Sequence, residues 1–351
     1  MSRITSLVVR GILAGTLLSG VVAGAHSTVD AARSTAAGYT IGFANNLIGN
    51  GWREEMICAA KVQASVSTTP VKVVVQENQA NTALMISQIR NMISQGVNAL
   101  IIDPPDPTSL NGVIHQAVQK GIKVVVVDQL VTSPDAYQVE NDQVAYGKLG
   151  MQWLAKKLNG KGNVVLLQGA AGAPADTDRY NGIKAALAMY PGIKIVAQPH
   201  TGWDFAVGAK DITDLLNSNL KIDGVWTSGI DYPVVNAFKT AAKPFVPVVG
   251  ADTNEFVKQL ITMKSAGLIG SVVTNPSTVG GAGMALALDL LAGKTEPKIS
   301  KLTPQVWDNQ NNLAQLKSVY FSNRGATFTN QWQVPGWTTY TKAQFLTMCK
   351  G

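Results

Sequence analysis

The stretch YTIGFANNLIGNGWREEM, residues 39–56, runs from an apolar segment through two glycines into a segment that sets a tryptophan beside an arginine. Tyr39 to Phe43 reads as a short strand, Gly49 and Gly51 break it, and helical spacing begins at Met56, Ile57 and Ala60. Trp52 and Arg53 therefore stand at a strand-to-helix junction. In an α/β protein that junction lies at the carboxyl edge of the sheet, where ligands bind. A plainer reading stands beside it: a tryptophan that packs a loop and an arginine that faces water.

Outward from this junction the pattern repeats. Short Val/Ile runs at 39–43, 71–76, 99–102 and 123–127 alternate with helical spacing at 51–65, 80–95 and 108–120, and Gly96 and Gly121 stand as C-caps. A second series has strands at 164–168, 193–198, 224–227, 246–249 and 268–273, with helical runs near 142–159, 176–189, 205–218, 233–242, 254–264 and 277–292. Repeated βα units predict parallel sheets, and two such sets predict two similar α/β lobes. The boundary falls near 138–142, with no Gly/Ser- or Pro-rich spacer, so short structured hinge strands are expected to join the lobes. The tail from about 303 to 351 carries Trp307, Trp332 and Trp337 and little helical periodicity, and is expected to wrap over the lobes.

At 351 residues, 46% hydrophobic and 15% charged, the chain has the composition of a globular protein of two domains. Residues 1–25 read as a secretory signal peptide: Arg3 and Arg10, an apolar run from Gly11 to Val22, and Ala23-Gly24-Ala25 as the cleavage site. Its glycines leave it short of the ~20 apolar residues that a membrane span needs. Cleavage removes two arginines and no acid, taking the formal charge from +7 to +5. The basic residues are scattered, which argues against a nucleic-acid partner. Cys58 and Cys349 lie near opposite ends of the mature chain. In an exported protein they admit two readings, a disulfide tying the tail to the first helix or two buried thiols.

No catalytic, metal or cofactor constellation stands out. His26, His115 and His200 have no zinc spacing, C-x-x-C is absent, and neither G-x-G-x-x-G nor G-x-x-x-x-G-K-[ST] nor G-x-S-x-G occurs. The strand ends carry hydrogen-bonding side chains and indoles instead: Asn50, Trp52 and Arg53; Asp103 and Asp106; Asp128 and Gln129; Asp176, Asp178 and Arg179; Trp203 and Asp204; Asp231; Asp252; Asn275. Such a set suits a polyhydroxylated ligand, whose hydroxyls donate and accept while its C–H faces pack on rings. Several have simpler roles: Asp176, Asp178 or Asp204 as N-cap or first-turn acids, and Asp103 before Pro104-Pro105 as a turn former. Asp128 and Asp252 each end a Val run and are expected to point into the crevice.

The segments IGFANNLIGNGW, ALIIDPPDPTSL, IKVVVVDQ, VVLLQGAAGAPADTDRYNGI, QPHTGWD, DGVWTSGID, VVGADT and VVTNPSTVG, in that order, resemble the periplasmic sugar-binding proteins of the ribose-binding type, the solute receptors of ABC importers, over roughly residues 39–300. The resemblance implies two Rossmann-like lobes joined by three crossovers and closing on ligand like a hinged trap: 39–140 plus about 275–305, then 141–274, with 306–351 as a tail over both. It implies that Asn50, Trp52, Arg53, Asp128, Arg179, Trp203 and Asp252 hold the ligand, with Gln129, Asp231 and Asn275 at positions where the family pattern differs. Gln129 cannot supply the bidentate fork of the arginine usual there.

The expected function is therefore periplasmic capture of a monosaccharide or related polyol by a monomer. The expected partners are an inner-membrane ABC permease and, in one variant, a chemoreceptor. The competing readings are a periplasmic enzyme acting on a small polar metabolite, and a receptor of the same fold for a non-sugar signalling ligand. A transcription regulator would need a helix-turn-helix where the signal peptide stands.

Overall fold

The computed structural model describes residues 38–49 and 51–350. The signal-peptide reading and Asn50 lie outside the described residues. Two six-stranded sheets form the frame. The first, in the order β11-β5-β4-β3-β1-β2, contains β1 Tyr39–Asn45, β2 Val71–Glu77, β3 Ala99–Asp103, β4 Lys123–Val127, β5 Tyr137–Asn141 and β11 Ile299–Leu302, all parallel to their neighbours. The second, β12-β10-β9-β8-β6-β7, contains β6 Lys161–Leu167, β7 Gly192–Ala197, β8 Gly224–Thr227, β9 Val248–Ala251, β10 Gly270–Val273 and β12 Val306–Asp308. Only β12, at its edge, pairs antiparallel.

The apolar strand runs are explained by burial on both faces. Along β3 and β4, Ile101, Val125 and Val127 point to one core, and Leu100, Ile102, Val124 and Val126 to another. The second sheet repeats this: Val165, Leu167, Val225 and Val248 face one side, and Val164, Leu166, Trp226 and Val249 the other. The covering helices are α1 Gly51–Ser65, α2 Thr82–Ser94, α3 Asn111–Gln119 and α9 Val279–Leu291 for the first sheet. For the second they are α4 Gln143–Lys157, α5 Pro174–Leu187, α6 Phe205–Asn217, α7 Asp231–Thr240 and α8 Asn254–Thr262. The chain passes between the sheets after β5, after β10 and between β11 and β12.

Strands β5, β11 and β12 were not separate strands in the sequence reading, because each is short and half polar. The tail differs from the expectation of an irregular wrap. It contains α10 Leu313–Val319 and α11 Lys342–Met348, the second closed by a capping box between Thr341 and Gln344. Cys58 and Cys349 are joined in a disulfide. No described helix is long and apolar enough to cross a membrane.

Candidate functional site

In each sheet the strand order reverses beside the first strand of its series, between β1 and β3 and between β6 and β8. Such switch points open a crevice at the carboxyl ends. A cavity lies there, with about 550 Å³ of non-atom space when the solvent at its opening is included. Trp52, Arg53 and Asp128 line it from the first sheet's edge, and Arg179, Trp203 and Ser228 from the second. Asn275, from the second crossover, and Thr327, from the tail, also line it, as does Phe205.

Helix α1 starts at Gly51, so Trp52 and Arg53 occupy its first turn. The Trp52 indole N–H donates to the Asn275 carbonyl at 2.7 Å. Arg53 is 4% exposed. Its Nε lies 3.1 Å from Asp103 Oδ2 and donates to Asn46 Oδ1. Its guanidinium carbon stands 5.8 Å from the centre of Trp52 and 5.3 Å from that of Trp203, one indole from each lobe. Burial pushes the Asp103 carboxyl up to about 6, against the pull of Arg53.

Asp128 follows β4 at a φ of 64°, a left-handed conformation that favours glycine and that an aspartate tolerates better than a branched residue. There its Oδ1 accepts from Asn141 Nδ2 at 3.1 Å and from Gln143 Nε2 at 2.9 Å. Burial raises this carboxyl, and the Arg53 and Arg179 charges oppose the shift. Gln143 also donates to Asn275 Oδ1 and accepts from Arg179 Nε at 2.8 Å. One amide thus ties both lobes and a crossover together.

Arg179 reaches this point because α4 and α5 touch backbone to backbone. A Cβ on Gly147 would lie 1.9 Å from the Arg179 carbonyl oxygen, and one on Gly182 would lie 2.0 Å from that of Val144. The guanidinium stacks over Tyr146 at 4.2 Å and donates to the Ser228 hydroxyl at 2.7 Å. Trp203, at a φ of 60°, donates from its indole N–H to the same hydroxyl at 3.1 Å.

Of the ten expected ligand residues, the structure brings Trp52, Arg53, Asp128, Arg179, Trp203 and Asn275 to one cavity, and Asn50 is not described. It seats the other three behind the wall. Gln129 donates to Asp103 Oδ1 and accepts from Ala175 N, holding the carboxylate that holds Arg53. Asp231 is fully buried under the Ala251 amide and Thr253 hydroxyl, and burial pushes it up to about 6. Asp252 is also fully buried, accepting from Asn275 N and Gln331 Nε2. The expectation that Asp252 points into the crevice is corrected: the Asn275 backbone amide and the Gln331 side chain hold it towards the crossover and the tail. Asp204 caps α6, and Asp176 accepts from Gly169 N and faces His200. Asn46, Asn141, Gln143, Ser228 and Thr327 were missed. Asn141 and Gln143 lie in the stretch read only as a lobe boundary, although the floor of a two-lobed cleft is built from its crossovers.

Two arginines balanced by two aspartates, with amides, a hydroxyl and two indole faces, can hold an uncharged polar ring or chain. No group of residues that could hold a metal ion occurs among the described residues.

This fold and cleft define a two-lobed α/β binding protein. Residues 41–295 match the periplasmic binding protein domain, and the chain belongs to that family. A xylitol-binding protein of Mycolicibacterium smegmatis is 35% identical over 63% of this chain, a match that spans 65% of that relative's own length. An ABC transporter solute-binding protein of Thermobispora bispora superposes with a TM-score of 0.73 at 28% identity, over 88% of this chain and 94% of that one. The binding protein of an arabinose ABC transporter from a Shewanella species, bound to L-arabinofuranose, gives 0.72 at 25%, over 80% and 95%.

Proposed function

We propose that this chain is an extracytoplasmic solute-binding protein of an ABC importer that captures a monosaccharide or related polyol between its lobes by hinge closure. The observation that carries the reading is the pair of indoles, Trp52 and Trp203, presented from opposite lobes around Arg53, with Asp128 and Arg179 beside them. Relatives named for xylitol binding and bound to arabinofuranose support the ligand class. The protein is exported by residues 1–25, acts as a monomer without turnover, and offers its closed form to an inner-membrane permease. Its first lobe is 39–140 with about 275–305, its second 141–274, and its tail 306–351.

In this reading the lobes shut on the ligand, bringing Trp52 and Asp128 together with Arg179 and Trp203 around one molecule, as these residues line one cavity here. A thermal-shift screen of the mature protein against pentoses, hexoses, alditols, nucleosides and amino acids tests the reading, because a ligand of the folded state stabilises it as ln(1 + [L]/Kd). A sugar or polyol should raise Tm and lower the radius of gyration in small-angle scattering. A ligand chemically changed on incubation, or an unchanged radius at saturation, would replace the trap with an enzyme.

A further inference from the structure

The match to the family domain ends at residue 295, yet a residue 32 positions further on, Thr327, lines the cavity. After α10, whose Leu316 packs with Phe256 and Leu260 of the second lobe, the chain turns back across the hinge. On one side it lies along the loop after β9: Asn254 N donates to Phe328 O at 2.7 Å, Glu255 N to Ala326 O at 3.1 Å, and Asn330 N to Asp252 O at 3.0 Å. On the other it is fastened to the first lobe, where Glu55 accepts from Thr329 N at 2.8 Å and from its hydroxyl at 2.9 Å. Gln63 and Thr339 then exchange two hydrogen bonds, each 2.9 Å, and the segment ends at the Cys58–Cys349 disulfide. Thr327 sits at the middle of this strap. Its hydroxyl presses on Gly51, where a Cβ would come within 2.2 Å of it, so the strap abuts the turn that presents Trp52 and Arg53.

We propose that this strap is a ligand-selecting wall of the cleft, that Thr327 is the side chain through which it selects, and that the disulfide keeps the wall in register. The proposal rests on the reading of the cleft as a sugar or polyol site. A wall anchored at both ends bounds the cavity that Asp128 also lines, and a half-buried hydroxyl there discriminates between ligands that do and do not bring a polar group to it. A site that binds a hydroxyl rejects analogues lacking it, because its own polar group is left unpaired.

The test is calorimetric titration of erythritol, xylitol, D-mannitol, L-arabinose and D-galactose into wild type, Thr327→Val, Thr327→Ser and the Cys58→Ser/Cys349→Ser double variant, with urea midpoints for each. Thr327→Val, nearly isosteric, should change the ratio of Kd values between the best and next-best ligand by about tenfold at an unchanged midpoint, as loss of one neutral hydrogen bond allows. Thr327→Ser should restore the ratio, and the double variant should lose discrimination along with stability. Should the double variant not fold, the Thr327 pair decides alone. An unchanged ratio in Thr327→Val, or equal weakening of every ligand, overturns selection by the strap. Wild type that binds none of the panel removes the sugar or polyol reading on which the proposal rests, and is seen before any variant is made.

Discussion

Replacing Gln143 by leucine should be among the most damaging single changes in the molecule, although this residue lies on a crossover and outside the cavity wall. The side chain is 1% exposed and makes three hydrogen bonds, to Asp128, Asn275 and Arg179. Leucine has nearly the same volume, so the loss is polar. It strands the buried Arg179 Nε and leaves Asp128 Oδ1 with Asn141 alone. Hydrogen bonds to charged groups contribute about 1.5–3 kcal/mol each, so two such losses amount to roughly 3–6 kcal/mol. Urea unfolding read by tryptophan fluorescence measures this as a lower midpoint at constant m. Gln143→Glu sharpens the test: the new carboxylate still accepts from Arg179 but faces Asp128 and Asn275 Oδ1. That variant should be destabilised near neutral pH and should recover in acid, when its protonated carboxyl can donate again. A loss below about 1 kcal/mol in both variants would show that the crossover network is not what joins the lobes.

Removing either indole wall, Trp52→Ala or Trp203→Ala, should weaken ligand binding by about 2–4 kcal/mol, the range of buried aromatic anchors, while the fold survives. Wild-type affinity by calorimetry in both would make them packing residues. Burial pushes Glu55 from 4.5 up to about 8. A raised pKa contributes stability that is fully present below the unfolded value and is lost as pH rises through the folded one, here on the order of a few kcal/mol between about pH 5 and pH 9. Glu55→Gln, which retains an acceptor for Thr329, should flatten the fall of the urea midpoint over that window. The same slope in both proteins would refute the assignment.

The frame was legible in the sequence because its signals are local. Val runs of four or five residues buried on both faces read as parallel strands, and Gly96 and Gly121 mark the helix ends they close, both at positive φ. Trp52, Arg53, Asp128 and Trp203 were legible as candidates for the same reason, each lying in the segment that follows a strand. What was missed is non-local. Gln143 has no sequence feature that distinguishes it from a surface helix residue, and its role appears only when Asp128, Asn275 and Arg179, up to 132 positions away, converge on its amide. Asp231 and Asp252 obeyed the strand-end rule but were turned inward by the amides of Ala251, inside the second lobe, and Asn275, at the crossover, contacts that exist only in the folded chain. The tail reads as irregular because its order comes from the two lobes it touches and not from its own periodicity.

On the proposed reading, the same geometry makes closure depend on ligand. Arg53 is already matched by Asp103, and Arg179 is hydrogen-bonded to Gln143 and Ser228 with the Asp128 carboxylate in range of its charge, so neither guanidinium needs a ligand carboxylate to balance it. An anion would add an uncompensated charge beside Asp128, whereas hydroxyl groups can bond its carboxylate at no charge cost. Closing the lobes over an empty cleft strips water from these charged groups and returns only the few contacts made directly between the lobes, such as Ala175 N to Gln129 and Arg53 against Trp203. A neutral polyol returns the hydrogen bonds and places its C–H faces between Trp52 and Trp203 at the same time. Its contacts to the second lobe exist only in the shut form, and that differential affinity is what shifts the population.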